Sequence, residues 1–226
     1  MSSGRPDTRR YDNSARAARA RESRGRIVAA ARTLFIADGY EPTTLSRIAS
    51  AAGVSLPTVQ KTFGTKAALA KVVYDETLAG DDEPIPMGER PMFQRLEAES
   101  DPAEVLRLYA EIAAGLWSRL GEVFPMILGG ALSGEPDLVE LRRTIAAESR
   151  IGARELVDKL ISVDGLRPGL DRDDAIDALW WLIQPEQYVM LVGQAGWPLE
   201  RFVGWFHTTA ARLLLPTDNR PHSSRP

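Results

Sequence analysis

The chain contains no cysteine, which rules out disulfide staples and thiolate catalysis and suits a reducing cytoplasm, the location expected here. Histidine is nearly missing too: His207 and His222 are the only two, so no imidazole-based metal site or catalytic triad assembles. His207, beside Phe206, reads as an ordinary helix-face histidine. Long hydrophobic runs are also lacking. "ALWWLI" (178–183) and "YVMLVG" (188–193) are separated by Gln184, Pro185, Glu186 and Gln187, and each is far short of the roughly 20 apolar residues that span a bilayer. The first residues are polar and arginine-rich rather than the apolar core of a signal peptide. No period-2 stretch bounded by hairpin signals occurs, and the glycine-rich "GGALSG" comes after no strand and carries no Lys-Ser/Thr pair to cradle a phosphate. The carboxylates fall on solvated helix faces, so neither catalysis, a metal nor a cofactor is expected.

What is present is enough apolar material for a core, 44% of 226 residues, and a polarised charge distribution. Residues 1–66 hold 12 Arg/Lys against 5 Asp/Glu, a net of +7, and the remaining 160 hold 16 against 26, a net of −10. An anionic partner such as nucleic acid therefore meets the first third of the chain.

The periodicity throughout is helical, which predicts an all-α fold. Residues 1–20 carry five arginines without sustained apolar periodicity and read as a flexible basic arm. From Arg21, the residues Ile27, Ala31, Leu34 and Phe35 share one helical face, and Gly39 ends it. Thr43 or Thr44 caps a short second helix bearing Leu45, Ile48 and Ala49, closed by Gly53 in a tight turn. Ser55 caps a third helix to Phe63, with Pro57 in a first turn that can spare an N–H. "KAALAKVVYDETLA" gives a fourth helix, and "GDDEPIPMGERP" (80–91) a loop. Beyond it, helices are expected from Asp101 to Leu120 with Pro102 and Glu104 in the first turn, from Asp137 to Ile161, from Asp171 to about Gly193 with a break at Pro185, and from Pro198 to about Leu215. Residues 216–226 read as a disordered tail.

The second and third helices, their glycine turn, and the inward set Leu45, Ile48, Ala49, Val54, Val59 and Phe63 make a helix-turn-helix plan. Leu56, Pro57, Thr58, Gln60, Lys61 and Thr62 remain outside on the later helix. Gln pairs with adenine edges, Thr and Leu touch thymine methyls, Lys and hydroxyls bond phosphates, and the helix N-terminus favours an anion. The arm arginines Arg5, Arg9, Arg10, Arg16 and Arg19 would enter a minor groove or track phosphates.

With "LFIADGY", "TTLSRIASAAGVS" and "FGTKAAL" in order over residues 21–78, the chain resembles the DNA-binding domain of tetracycline-repressor (TetR) family regulators. "QPEQYVMLVGQAGWPLERFVGWF" looks like C-terminal segments of some members. The resemblance implies a helix-turn-helix domain at 21–66 and a helical effector-binding and dimerisation domain at 67–215. It also implies a homodimer on a palindromic double-stranded DNA operator, released by a small-molecule effector, with no membrane partner. By position Thr44 and Lys66 touch phosphates; Ser55 either joins them or only caps its helix. Gln60 and Thr62 stand where many members have a tyrosine and a histidine, which affects operator preference. Trp117, Phe124, Met126, Trp181 and Tyr188 are the expected effector-pocket residues, with the glycines around "GLWSRLGEVFPMILGGALSG" giving a loosely held helix pair. The alternative is a helical small-molecule or partner-binding protein whose helix-turn-helix no longer binds DNA specifically.

Overall fold

A computed structural model describes residues 8–216, with side chains from Arg16 onward. Among the described residues there are eleven α-helices and no strand, as the periodicity predicts. In chain order they are α1 (Thr8–Asp38), α2 (Leu45–Ala52), α3 (Leu56–Phe63), α4 (Lys66–Ala79), α5 (Pro91–Ala98), α6 (Pro102–Leu120), α7 (Val123–Leu132), α8 (Pro136–Ser162), α9 (Arg172–Leu182), α10 (Pro185–Tyr188) and α11 (Leu199–Leu214). A 3₁₀ turn at Met87–Glu89 and a π-helical turn at Val189–Gln194 complete the set.

Two compact units result. Of the described residues, the first holds those through Asp82 together with Met126–Leu141; the second holds Glu83–Pro125 and those from Arg142. The first unit thus extends past the boundary expected after residue 66, taking in α4 and the hairpin made by the end of α7 and the start of α8.

Packing in the first unit centres on Ile27, Ala31 and Phe35 of α1, Ile48 and Ala49 of α2, Val59 of α3, and Leu69 and Val73 of α4, all buried. Burying one such large aliphatic or aromatic side chain contributes about 1.5–3 kcal/mol. The start of α1 differs from expectation, since the chain is helical from Thr8 rather than an unstructured arm. Its cause is local: no glycine or proline lies between Asp7 and Ser23, and alanine and arginine, both strong helix formers, dominate the stretch. The other end of α1 closes with the Gly39 N–H donating to the Phe35 carbonyl at 3.1 Å. Of the two candidate caps, Thr44 serves α2 by accepting from the Arg47 N–H at 3.2 Å. Thr43 is buried, and its hydroxyl instead donates to the Gly39 carbonyl at 2.8 Å.

Gly130 explains the hairpin. A Cβ there would overlap Leu138 Cδ1 and lie 3.4 Å from Leu138 Cγ. The glycine therefore lets α7 approach α8 closely, with Leu138 fully buried, rather than loosening the pair.

The second unit is built on α6, α9 and α11, with Leu106, Leu120, Leu179, Phe202 and Phe206 buried. Asp101 caps α6 by accepting from Ala103 N at 2.8 Å, and Asp171 caps α9 by accepting from Asp173 N at 2.8 Å. As expected, Pro185 interrupts the apolar stretch: α9 stops at Leu182 and the proline occupies the first turn of α10. Beyond Tyr188 the α-helix expected to run on to Gly193 gives way to a widened turn. There the Ala195 N–H reaches the Met190 carbonyl at 2.9 Å and the Trp197 N–H the Leu191 carbonyl at 2.9 Å. This turn ends before Pro198, with Trp197 packed edge-on to Trp205 at 6.2 Å.

Candidate nucleic-acid interface

Elements α2 and α3 present the site. Gly53 has φ +64°, the left-handed conformation that costs an L side chain about 1–2 kcal/mol. Its turn brings α3 across α2, and Val59, 0% exposed, fixes α3 from below. Phe63, expected to anchor alongside Val59, is only half-buried, with the Arg24 guanidinium 5.7 Å over its ring.

On the outer face Gln60, Lys61 and Thr62 are exposed, and no acid occupies the first turn of α3. Unpaired N–H groups and the helix dipole at that end favour an anion. Ser55 Oγ accepts from the Thr58 N–H at 3.3 Å and lies 2.8 Å from the Thr58 hydroxyl, so it caps its helix. Leu56 and Thr58 are half-buried beside it and Pro57 is exposed. The Thr62 hydroxyl donates to the Thr58 carbonyl at 2.8 Å; what it offers a base edge is therefore a methyl group and an acceptor, not a donor. Thr44 is exposed, and its oxygen accepts the capping bond while the O–H stays available for a phosphate.

Lys66 is placed differently. Its Nζ donates to the Tyr40 carbonyl at 3.0 Å and sits 4.0 Å over the Tyr40 ring, a cation–π geometry. The ammonium thus closes the loop between α1 and α2. Tyr40 is the hub of this corner: its ring packs 5.4 Å from Phe35, and its hydroxyl donates to Asp137 Oδ2 at 2.6 Å in the first turn of α8. Burial, then the bond to Asp137, hold the phenol proton well above the usual tyrosine range. Sequence reasoning misses this corner because Asp137 lies 97 residues away and nothing local marks the pairing.

Of the five expected effector-pocket residues, Trp117 and Tyr188 share one aromatic neighbour. Trp117 packs edge-on against Phe202 at 5.7 Å and Tyr188 against the same ring at 5.4 Å. Phe124 is buried under the Arg142 guanidinium, 5.8 Å from its ring. Met126 belongs to the first unit. Trp181, by contrast, is 61% exposed, while Trp180 turns inward, its Nε1–H donating to the Ala146 carbonyl at 2.9 Å. The 100° step between neighbours on a helix separates them. Within the second unit Tyr109, Phe202, Trp205 and Phe206 complete the aromatic cluster around Trp117. Burial, with the charge of Glu155 adding to it, raises the Tyr109 phenol above its ordinary range. Arg142 Nε donates to Glu186 Oε1 at 2.9 Å, and Arg142 also reaches Gln184. No group of acids or histidines suited to a metal occurs among the described residues, nor a helix long and apolar enough to cross a membrane.

Residues 27–73 match the model of bacterial regulatory proteins of the tetR family. An HTH-type transcriptional regulator, YdeS, of Bacillus subtilis (strain 168) is 29% identical over 156 residues, covering 68% of this chain and 72% of that protein. Among solved structures, NalD, the secondary repressor of the MexAB-OprM multidrug efflux pump in Pseudomonas aeruginosa, superposes with a TM-score of 0.62 at 19% identity, over 86% of this chain and 96% of that one. A transcriptional regulator from Saccharomonospora viridis solved in complex with choline gives 0.61 at 18% identity, over 86% and 98%. At such identities the two structures establish a shared fold.

Proposed function

We propose, from the match of residues 27–73 to the model of bacterial regulatory proteins of the tetR family, that the protein is a cytoplasmic repressor whose α3 enters the major groove of a palindromic operator. The observation that carries the reading is the outer face of α3: Gln60, Lys61 and Thr62 exposed, Ser55 capping, no acid in the first turn, and Val59 buried behind. Gln60 reads an adenine edge, Lys61 and Thr44 hold phosphates, and Leu56, Pro57, Thr58 and Thr62 offer apolar and acceptor groups at the groove. Lys66 acts by holding the α1–α2 corner.

A single recognition helix reads too few bases for useful specificity, so the active form is a homodimer on two half-sites. Trp181 and Met190, 61% and 58% exposed in one chain, are apolar surface that a second copy would cover. The effector is a small molecule held by the aromatic cluster of the second unit. Supporting that reading, Glu186 Oε2 and His207 Nε2 are buried without a hydrogen-bond partner among the described residues. They lie on α10 and α11, which also carry Tyr188 and Phe202. The fold shared with a choline-bound regulator points the same way. A mobility shift with the DNA flanking its own gene tests the proposal. A discrete complex of two chains per duplex is expected, and no shift at micromolar protein would refute it.

A further inference from the structure

The two ends of α3 are held differently. Toward its start the Gly53 turn, the Ser55 cap and the buried Val59 fix it. Its last residue, Phe63, lies one turn beyond Val59 on the same face but is only half-buried. The chain then leaves through Gly64 at φ +76°, a conformation that glycine adopts without strain. Covering the Phe63 ring is the guanidinium of Arg24 on α1, 5.7 Å from the ring centre. That guanidinium pairs in turn with the Glu76 carboxylate of α4. One side chain thus ties α1, α3 and α4 together.

Burial and charge suit this arginine to holding a helix rather than a phosphate. Its side chain is 35% exposed and that of Glu76 20%, so the pair is screened less than one on the open surface, and the acid already balances the charge. A planar guanidinium stacks on a ring while it bonds a carboxylate, which a lysine ammonium does less well. A second pair on the same helix provides the contrast: Arg21 Nε donates to Asp82 Oδ2 at 3.2 Å, linking α1 to the segment after α4 through more exposed side chains. Were Phe63 released, α3 would rock about Val59. Gln60, Lys61 and Thr62, set along the roughly 6 Å between the two anchors, would move with it. A side chain that must meet a base edge tolerates only about 0.5 Å and 10–20° of displacement.

We propose that Arg24 is a positioning residue for DNA recognition: held by Glu76, it clamps Phe63 and so fixes the angle at which α3 presents Gln60 to a base edge. The clamp rests on the function proposed above and adds a determinant of specificity that itself touches no DNA. Its loss weakens the specific complex and leaves sequence-independent binding alone. A lysine on a flexible stem follows a phosphate as a point charge, whereas a bidentate base contact has one geometry.

The test uses the full chain, a duplex defined by footprinting of the DNA beside its gene, and a scrambled duplex, across roughly 50 to 200 mM salt. Arg24→Gln, Glu76→Gln and Arg21→Gln are compared with wild type. The first two should each lose about fivefold or more in discrimination between the duplexes, the lower end of what one bidentate base contact is worth. Their slopes of log affinity against log salt should stay within about 0.3 of wild type, since no phosphate contact is lost. Arg21→Gln should leave both discrimination and slope unchanged. Should Arg24→Gln fail to fold, Glu76→Gln, which keeps the size of its side chain, decides alone. An arginine bound to phosphate would behave otherwise: Arg24→Gln would weaken both duplexes alike and flatten the slope by about one, and Glu76→Gln would strengthen both. That pattern overturns the clamp, as does an equal loss of discrimination in Arg21→Gln, which would make any ion pair between α1 and α4 sufficient. Failure of the wild type to protect any DNA would sink the functional reading and the clamp with it, whereas protection with discrimination intact in Arg24→Gln and Glu76→Gln sinks the clamp alone.

Discussion

Replacing Tyr40 with phenylalanine isolates one hydrogen bond that joins the DNA-binding helices to the hairpin of the same unit. The ring keeps its packing, 5.4 Å from Phe35 and 4.0 Å beneath the Lys66 ammonium, so the change removes only the O–H donated to Asp137 at 2.6 Å. A hydrogen bond to a charged acceptor contributes about 1.5–3 kcal/mol. Asp137 is half-exposed and sits in the first turn of α8, where water and helix N–H groups take over part of the lost bond. The lower end, about 1.5 kcal/mol, is therefore expected, a fall in Tm of roughly 3–6 °C for a chain of this size. The assay is urea unfolding of Tyr40→Phe, Asp137→Ala and the double variant. The cycle should yield a coupling of at least about 1 kcal/mol, since the second change costs little once the first is made. Additive effects within about 0.3 kcal/mol would refute the bond and with it the corner as described.

Gly130→Ala places a methyl group where Leu138 already lies, and overpacking of this kind should cost about 1–3 kcal/mol by thermal unfolding; an unchanged Tm would refute the close approach of α7 and α8. Stability should be full below about pH 10 and decline as pH rises further. Unfolded tyrosines lose their protons near pH 10, while folded Tyr40 and Tyr109 retain theirs, so the folded state binds more protons there. Urea midpoints at about pH 8 and about pH 10.5 measure this, and Tyr109→Phe should shrink the difference; equal midpoints would contradict it. Trp181→Glu should weaken the proposed dimer by at least about 2 kcal/mol, the scale of an aromatic hot spot, without unfolding the chain; an unchanged sedimentation equilibrium would place the interface elsewhere.

The range of each interaction decides how far the sequence alone reveals this structure. Thr44, Ser55, Asp101 and Asp171 are legible as caps because a cap bonds N–H groups two or three residues away. Gly53 is legible because a left-handed turn between two amphipathic helices leaves few other residues possible. Pro185 marks its break for the same local reason. The failures mostly involve distant partners. The Tyr40 bond to Asp137 and the membership of Met126–Leu141 in the first unit depend on tertiary packing. Residue type alone puts Trp181 in a pocket, whereas helical phase decides that Trp180 turns inward and Trp181 outward. A place at a helix start assigns Lys66 to phosphate, and the Tyr40 carbonyl and ring claim it instead.

The central claim is that the outer face of α3 reads DNA. Its most direct measurement is the affinity of wild type and of Gln60→Ala with Lys61→Ala for the footprinted duplex and for a scrambled duplex, by fluorescence anisotropy at several salt concentrations. Loss of the Gln60 base contact should cost about 1–3 kcal/mol on the specific duplex and relax discrimination, and loss of the Lys61 phosphate contact should lower the salt slope by about one. A double variant that binds both duplexes as wild type does would contradict recognition by this helix.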